Sequence, residues 1–137
     1  VNYLLDTNAC IALMNGAPAA VRIQFDRAVR ADSRIYISSV VAFELWYGIA
    51  KSARIEANTR RLETLLSSSL DALPFDHKDS RAAGSIRASL ESVGRPIGGY
   101  DYLIAGQALA RGMILVTANV SEFSRVKGLS WQDWAKA

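Results

Sequence analysis

Four short apolar runs, each separated from the next by a helical pattern, constrain this chain more than any other feature. They are Asn2–Leu5, Ile35–Ser38, Ala72–Phe75 and Met113–Thr117. Runs of this length, bounded by polar residues and rich in β-branched or large aliphatic side chains, read as buried strands. Between them, apolar residues recur at helical spacing, as Leu62, Leu65 and Leu66 do within Glu56–Ser68. Strands that alternate with helices imply a parallel sheet covered on both faces. The expected fold is α/β, a three-layer α/β/α arrangement around a central parallel sheet. At 137 residues the chain has the length of one domain, 1–137, with one core.

The remaining elements follow from start and stop signals. Helices are expected over Asn8–Asn15, over Ala19–Arg30 behind Pro18, and from a Ser39 cap to about Ser52. Asp76 caps a helix to about Val93, with Asp79 placed as in a capping box. Residues Gly94–Gly99 form a loop, Tyr100–Arg111 a helix ending at Gly112, and Val120–Phe123 a short turn of helix. Ser130-x-x-Asp133 is expected to cap a last turn, with Trp131 and Trp134 packing the C-terminus onto the body.

Acidic side chains are almost never fully buried without a partner. An unpaired one neutralises itself by a pKa shift. Three acids here keep apolar company. Asp6 follows the first run and opens Thr7-Asn8, Glu44 is the only charge within Ser38–Ala50, and Asp101 heads the apolar Tyr102–Ala110. Ligands of such sheets bind beyond the carboxyl ends of the strands. Asp6, Glu44 and Asn119 each follow a strand closely enough to reach that edge. One shared cation accounts for acids so placed, and oxygen-only ligands favour Mg2+ or Mn2+.

Each residue also has a plainer reading. Asp6 sits where Asp commonly caps a helix, but Thr7 and Asn8 offer further caps, which leaves Asp6 for a metal and Thr7 and Asn8 to orient it. Glu44, with Val40, Val41, Tyr47 and Gly48 as helical neighbours, is a ligand or half of an internal salt bridge. Asp101 at a helix start is stabilised by the macrodipole whatever else it does. The glycines before it permit close backbone approach and unusual dihedrals. Arg95 on that loop is a phosphate contact or a surface arginine. Asn119 caps the short helix after it and faces the metal through water; Glu122 caps or is solvated; Thr117 hydrogen-bonds one of the acids. Clustered carboxylates repel, so without metal at least one pKa rises.

The bulk properties exclude several alternatives. Half the residues are hydrophobic, which argues against disorder. No apolar run is long enough to span a membrane, and no signal-peptide pattern is visible, so the expected location is cytoplasmic. The single cysteine, Cys10, makes no internal disulfide and reads as a small buried residue. The single histidine, His77, excludes a metal-free ribonuclease built on two histidines. The net charge is only +3, carried mostly by arginine, which suits bidentate phosphate contact. Arg22, Arg27, Arg30, Lys51 and Arg54 are candidates for a basic rim. No GxxxxGK[ST] loop, GxGxxG or zinc spacing occurs.

Taken together these residues resemble the PIN-domain ribonucleases, and more closely the VapC-type toxins of toxin–antitoxin pairs. The resemblance runs end to end through Leu4-Leu5-Asp6-Thr7-Asn8, Ser38-Ser39-Val40 to Glu44-Leu45-x-Tyr47-Gly48, Gly94-Arg95-Pro96-Ile97-Gly98 before Asp101, Ile104-Ala105, and Val116-Thr117-x-Asn119 before Phe123. It implies that Asp6, Glu44 and Asp101 are the core acids and metal ligands of a Mg2+- or Mn2+-dependent endoribonuclease. It also implies an RNA substrate, a homodimer and a small cognate antitoxin protein that pushes a residue toward the acids. Asn119 departs from the aspartate that many PIN domains carry. Three acids alone leave a second ion dependent on the substrate phosphate, and leave open a catalytically weak RNA-binding module. An aspartate-nucleophile phosphatase is disfavoured, because Asn8 stands where its general acid would be.

Overall fold

The computed structural model describes residues 1–136. The order of elements is β1 (Asn2–Leu5), α1 (Thr7–Asn15), α2 (Ala19–Arg30), β2 (Arg34–Ser38), α3 (Ser39–Ala50), α4 (Ile55–Leu66), β3 (Asp71–Leu73), α5 (His77–Ser92), α6 (Gly99–Arg111), β4 (Ile114–Val116), α7 (Val120–Phe123) and β5 (Trp131–Gln132). A 3-10 turn, Trp134–Lys136, follows. The strands pair in the order β3-β2-β1-β4-β5, every pair parallel.

Successive strand residues point to opposite faces. Leu4 and Leu5 are both fully buried, as are Leu115 and Val116 to within 1%. The middle of the sheet is therefore covered on both sides, as three layers require. The chain builds outward from β1 through β2 to β3, then returns to place β4 on the other flank of β1. The crevice at the carboxyl ends of β1 and β4 is where strand order reverses, the usual ligand position in such sheets. Asp6 stands there, its N–H donating to the Val116 carbonyl at 3.1 Å.

Helix starts differ from expectation by small but informative amounts. Ser38, not Ser39, caps α3: its hydroxyl accepts from the Val40 N–H at 3.1 Å. Ser39 lies one residue inside, and its hydroxyl accepts from the Phe75 N–H, tying α3 to the end of β3. The Asp76–Asp79 capping box forms as expected, and α6 ends at Gly112 in the left-handed region (φ 64°) that glycine adopts freely. His77 is exposed on the first turn of α5 and Cys10 is buried.

The C-terminal segment differs from the sequence expectation. Residues Trp131–Gln132 add a fifth strand beside β4, and Asp133, not Ser130, caps the final turn by accepting from the Ala135 N–H at 3.0 Å. Trp134 packs inward, its ring meeting Tyr3 edge-on at 5.2 Å. Trp131 is instead 37% exposed.

Helices α5 and α6 cross so closely that a Cβ on Gly106 would lie 2.5 Å from the Ala83 nitrogen. Near this crossing Asp79, fully buried, accepts from Arg111 Nε at 3.0 Å, Arg111 Nη2 at 3.1 Å and Gln107 Nε2 at 3.2 Å. Gln107 also donates to the Pro74 carbonyl at 3.1 Å, so this cluster joins α6, α5 and the segment after β3. It helps fix the direction in which the other end of α6 presents Asp101. Among the described residues no helix is long and apolar enough to cross a membrane.

Candidate active site

Asp6 is 5% exposed at the exit of β1. Contrary to the sequence reading, it does cap α1: one oxygen, Oδ1, accepts from the Ala9 N–H at 2.8 Å. Capping occupies one lone pair of one oxygen and leaves Oδ2 for other partners, so the cap and a ligand role are compatible. Burial raises its pKa first; the Thr117 hydroxyl and the Ala9 N–H pull it down, and the charges of Glu44 and Asp133 push it up.

Thr7 does not orient Asp6. Its hydroxyl donates to Glu44 Oε1 at 2.8 Å, linking α1 to α3 and fixing the Glu44 carboxylate. Among the described residues no hydrogen bond joins Asn8 to Asp6, and Asn8 is exposed at the mouth of an apolar groove with Ala118 and Asp133. Glu44 is half-buried at the margin of the core face of α3: Val41 below it is fully buried, while Tyr47 beside it is 58% exposed. It has no internal salt bridge among the described residues.

Asp101 lies in the first turn of α6. Burial, a hydrogen bond shared with Glu122, and the charges of Glu122, Asp6 and Glu44 push its pKa up to about 7. A raised pKa is thus present at both Asp6 and Asp101, led by burial, with the neighbouring carboxylates adding to it. Gly98, which precedes α6, has an ordinary φ of −60°, so it is not there for backbone freedom. A Cβ at Gly98 would lie 3.0 Å from Asp101 Oδ2. Gly98→Ala is therefore expected to displace that carboxylate by a few tenths of an ångström. Since a misplacement of about 1 Å can cost ~100-fold in rate, the expected loss is roughly several-fold to tenfold. Steady-state activity and a melting curve check this; a large loss of Tm with normal turnover would contradict it.

Glu122 is the site residue that the sequence reading missed. It was assigned to capping or solvent, yet it reaches Asp101 and accepts from the Asn119 amide. Asn119 stands at the N-cap position of α7 but makes no side-chain cap; its backbone N–H donates to the Thr117 hydroxyl at 2.9 Å. A carboxylate thus stands one helical turn after Asn119, in contact with Asp101. A spacing of three residues from Asn119 was the available signal, but it reads equally as a cap. Thr117, 1% exposed, hydrogen-bonds one of the acids, Asp6, through its side chain. Arg95 is exposed on the loop before α6. Of the five basic-rim candidates, Lys51 lines a cavity with Thr7 and Glu44, whereas Arg22 lines a separate groove with Arg61.

Asp6, Glu44, Asp101 and Glu122 thus act on one another across space. As they stand, no group of three His, Cys, Asp or Glu side chains among the described residues is close enough to enclose an ion. The chemistry of the donors nevertheless suits a hard divalent cation: all are oxygens, and two of the acids are raised by burial and by neighbouring carboxylates.

A family model described as PIN domain matches residues 3–129. A relative named tRNA(fMet)-specific endonuclease VapC, from Shigella flexneri, is 42% identical over 98% of this chain and 99% of its own. Among solved structures, VapBC2 from Rickettsia felis, bound to a DNA fragment from its promoter, is similar with a TM-score of 0.91 and 36% identity over 98% of this chain and 99% of the other. DNA-bound VapBC from Salmonella typhimurium is similar at a TM-score of 0.88 and 38% identity, covering 98% of each chain.

Proposed function

The chain belongs to the PIN-domain family, and on that premise we propose that it is the toxin of a VapBC-type toxin–antitoxin pair, an endoribonuclease that hydrolyses RNA phosphodiesters with Mg2+ or Mn2+. The observation that carries this reading is the acid cluster at the strand-order switch, with Asp101 raised to about 7 by burial and its neighbours. Similarity to a relative named for a tRNA supports a structured RNA loop, such as one in tRNA, as the target. Similarity to VapBC complexes supports a cognate antitoxin as partner. We infer a homodimer, as the resemblance to VapC-type toxins implies, and a cytoplasmic site of action, where an RNA-cleaving toxin meets its substrate.

Asp6, Asp101 and Glu44 would hold the divalent ion, and Glu122 stands beside Asp101. When bound, that ion supplies Lewis acidity toward the phosphodiester and toward water. The chain's own residues prepare the site for it. The Ala9 N–H fixes one oxygen of Asp6, and the Thr7 hydroxyl fixes one oxygen of Glu44. Asn119 restrains Glu122. In this reading Glu44 either holds the ion directly or orients the attacking water, Arg95 meets a flanking phosphate, and in-line attack leaves 5′-phosphate and 3′-hydroxyl ends.

The test is cleavage of total bacterial tRNA by purified, antitoxin-free protein with Mg2+, Mn2+ or EDTA, beside an Asp6→Asn control. Discrete fragments that require both the metal and Asp6 are expected. RNA binding without any cleavage, by protein shown to be folded, would favour the RNA-binding module instead.

A further inference from the structure

Beside the acids lies a cavity of about 480 Å3, lined by Thr7, Phe43, Glu44, Tyr47, Lys51 and Tyr100. Its volume falls within the ~300–1,000 Å3 of small-ligand sites. Its aromatic walls face water: Phe43 is 55% exposed, Tyr47 58% and Tyr100 48%. The core does not require them there, because α3 packs inward through Val41, Leu45 and Ile49. Phe43, Tyr47 and Lys51 instead recur every fourth residue, the spacing that stacks side chains along one side of a helix. The Lys51 ammonium stands 4.7 Å from the centre of the Tyr47 ring. The Phe43 and Tyr100 rings meet at 5.8 Å, tilted by 52°, and join α3 to the start of α6.

We propose that this cavity is a base-binding subsite, in which Tyr47 and Tyr100 stack the unpaired nucleobase next to the scissile phosphate and Lys51 meets an adjoining phosphate. The proposal rests on the ribonuclease reading above. Three features favour a base. The cavity shares Thr7 and Glu44 with the acid cluster, so its occupant lies next to the reacting phosphodiester. Ring faces accept any base, and proteins that read RNA in loops take up splayed bases by stacking on aromatic side chains. A single cation among rings, beside a carboxylate wall, fits a ligand that carries both a π-face and a phosphate.

Two measurements test it. Steady-state cleavage of bacterial tRNA is compared for wild type, Tyr47→Ala, Tyr100→Ala and the corresponding Phe variants. Stacking is read directly from the fluorescence of a short oligouridylate carrying one 2-aminopurine, bound to the uncleaving Asp6→Asn protein with and without each tyrosine change. Loss of one stacking partner is expected to raise KM about 5- to 100-fold, with Phe restoring most of it and 2-aminopurine quenched only where a ring is present. Unchanged KM and kcat in both Ala variants of an active enzyme would overturn the subsite and leave the ribonuclease reading intact. Phe variants as impaired as Ala would also overturn it, because the hydroxyls rather than the ring faces would then matter. A change of sedimentation behaviour that accompanies the loss would reassign the face to a protein partner. A wild-type protein that cuts no RNA overturns both readings.

Discussion

Asp101→Asn is expected to abolish RNA cleavage and, in the absence of metal, to make the protein more stable. Changes to groups that merely support metal ligands cost about 10- to 100-fold, so removing a proposed ligand should cost at least ~1,000-fold in kcat/KM. The stability gain comes from charge. Burial and the carboxylates of Glu122, Asp6 and Glu44 hold the Asp101 pKa up to about 7. Between its ordinary value and about 7, the folded chain keeps a proton that the unfolded chain has released. Stability therefore falls as pH rises through that window and stays low above it. Asparagine carries no charge, so the variant's stability should be flatter with pH there and higher at pH 8. Each kcal/mol of repulsion relieved is worth about 4 °C in Tm for a chain of this size. Added Mg2+ or Mn2+ should raise the wild-type Tm more than the variant's, and more at pH 8 than at pH 6, because the ion must displace the Asp101 proton. Melting curves in EDTA at both pH values decide the matter. A lower Tm for the variant at pH 8 would mean that the carboxylate serves the fold rather than a ligand.

Arg111→Met should cost the most stability of any single charge removed. Asp79 is fully buried and takes two of its hydrogen bonds from Arg111. Removing one partner of a buried pair costs ~3–5 kcal/mol, because the other charge is left without compensation. The Arg111 side chain is itself 25% exposed, so water can enter and the low end, about 3 kcal/mol, is expected. That corresponds to a fall in Tm of roughly 12 °C. The second salt bridge, to Asp76, is exposed on the acid side and adds little. Asp79→Asn placed in the same chain should recover most of the loss. The amide keeps an acceptor for the Asp76 N–H that the carboxylate now takes at 3.0 Å, and brings no buried charge. Urea denaturation of the two single variants and the double variant gives the coupling. Additive losses would show that Arg111 stabilises through packing of its stem and not through Asp79.

Much of the site was written in local order. Asp6 follows a run that could only be a buried strand, and Asp101 follows a loop that had to turn into a helix. Their positions along the chain were therefore legible once the strands were. The role of Asp6 as a cap is not legible in the sequence, because Thr7 and Asn8 are equally able to take it. Which of three adjacent polar residues caps a helix depends on where each points, and Thr7 is drawn away toward Glu44. Tyr47 reads from the sequence only as a helical neighbour of Glu44, and nothing there singles out Phe43. Their exposure became visible only when Val41, Leu45 and Ile49 were seen to claim the core side of α3.

By itself, the sequence determined the alternation of strands and helices, the parallel sheet, and which acids stand just beyond strand or helix ends. Those properties follow from periodicity, caps and short-range sterics, which a chain carries locally. The tertiary structure decided what depends on distant segments meeting. A two-residue strand such as β5 has no periodicity to read and exists only because β4 offers it a ladder. Glu122 joins the acids only because α7 is folded back toward the first turn of α6, and Asp79 is tolerable in the core only because Arg111 reaches it from another helix. Electrostatic coupling depends on separation in space, and separation along the chain does not fix it.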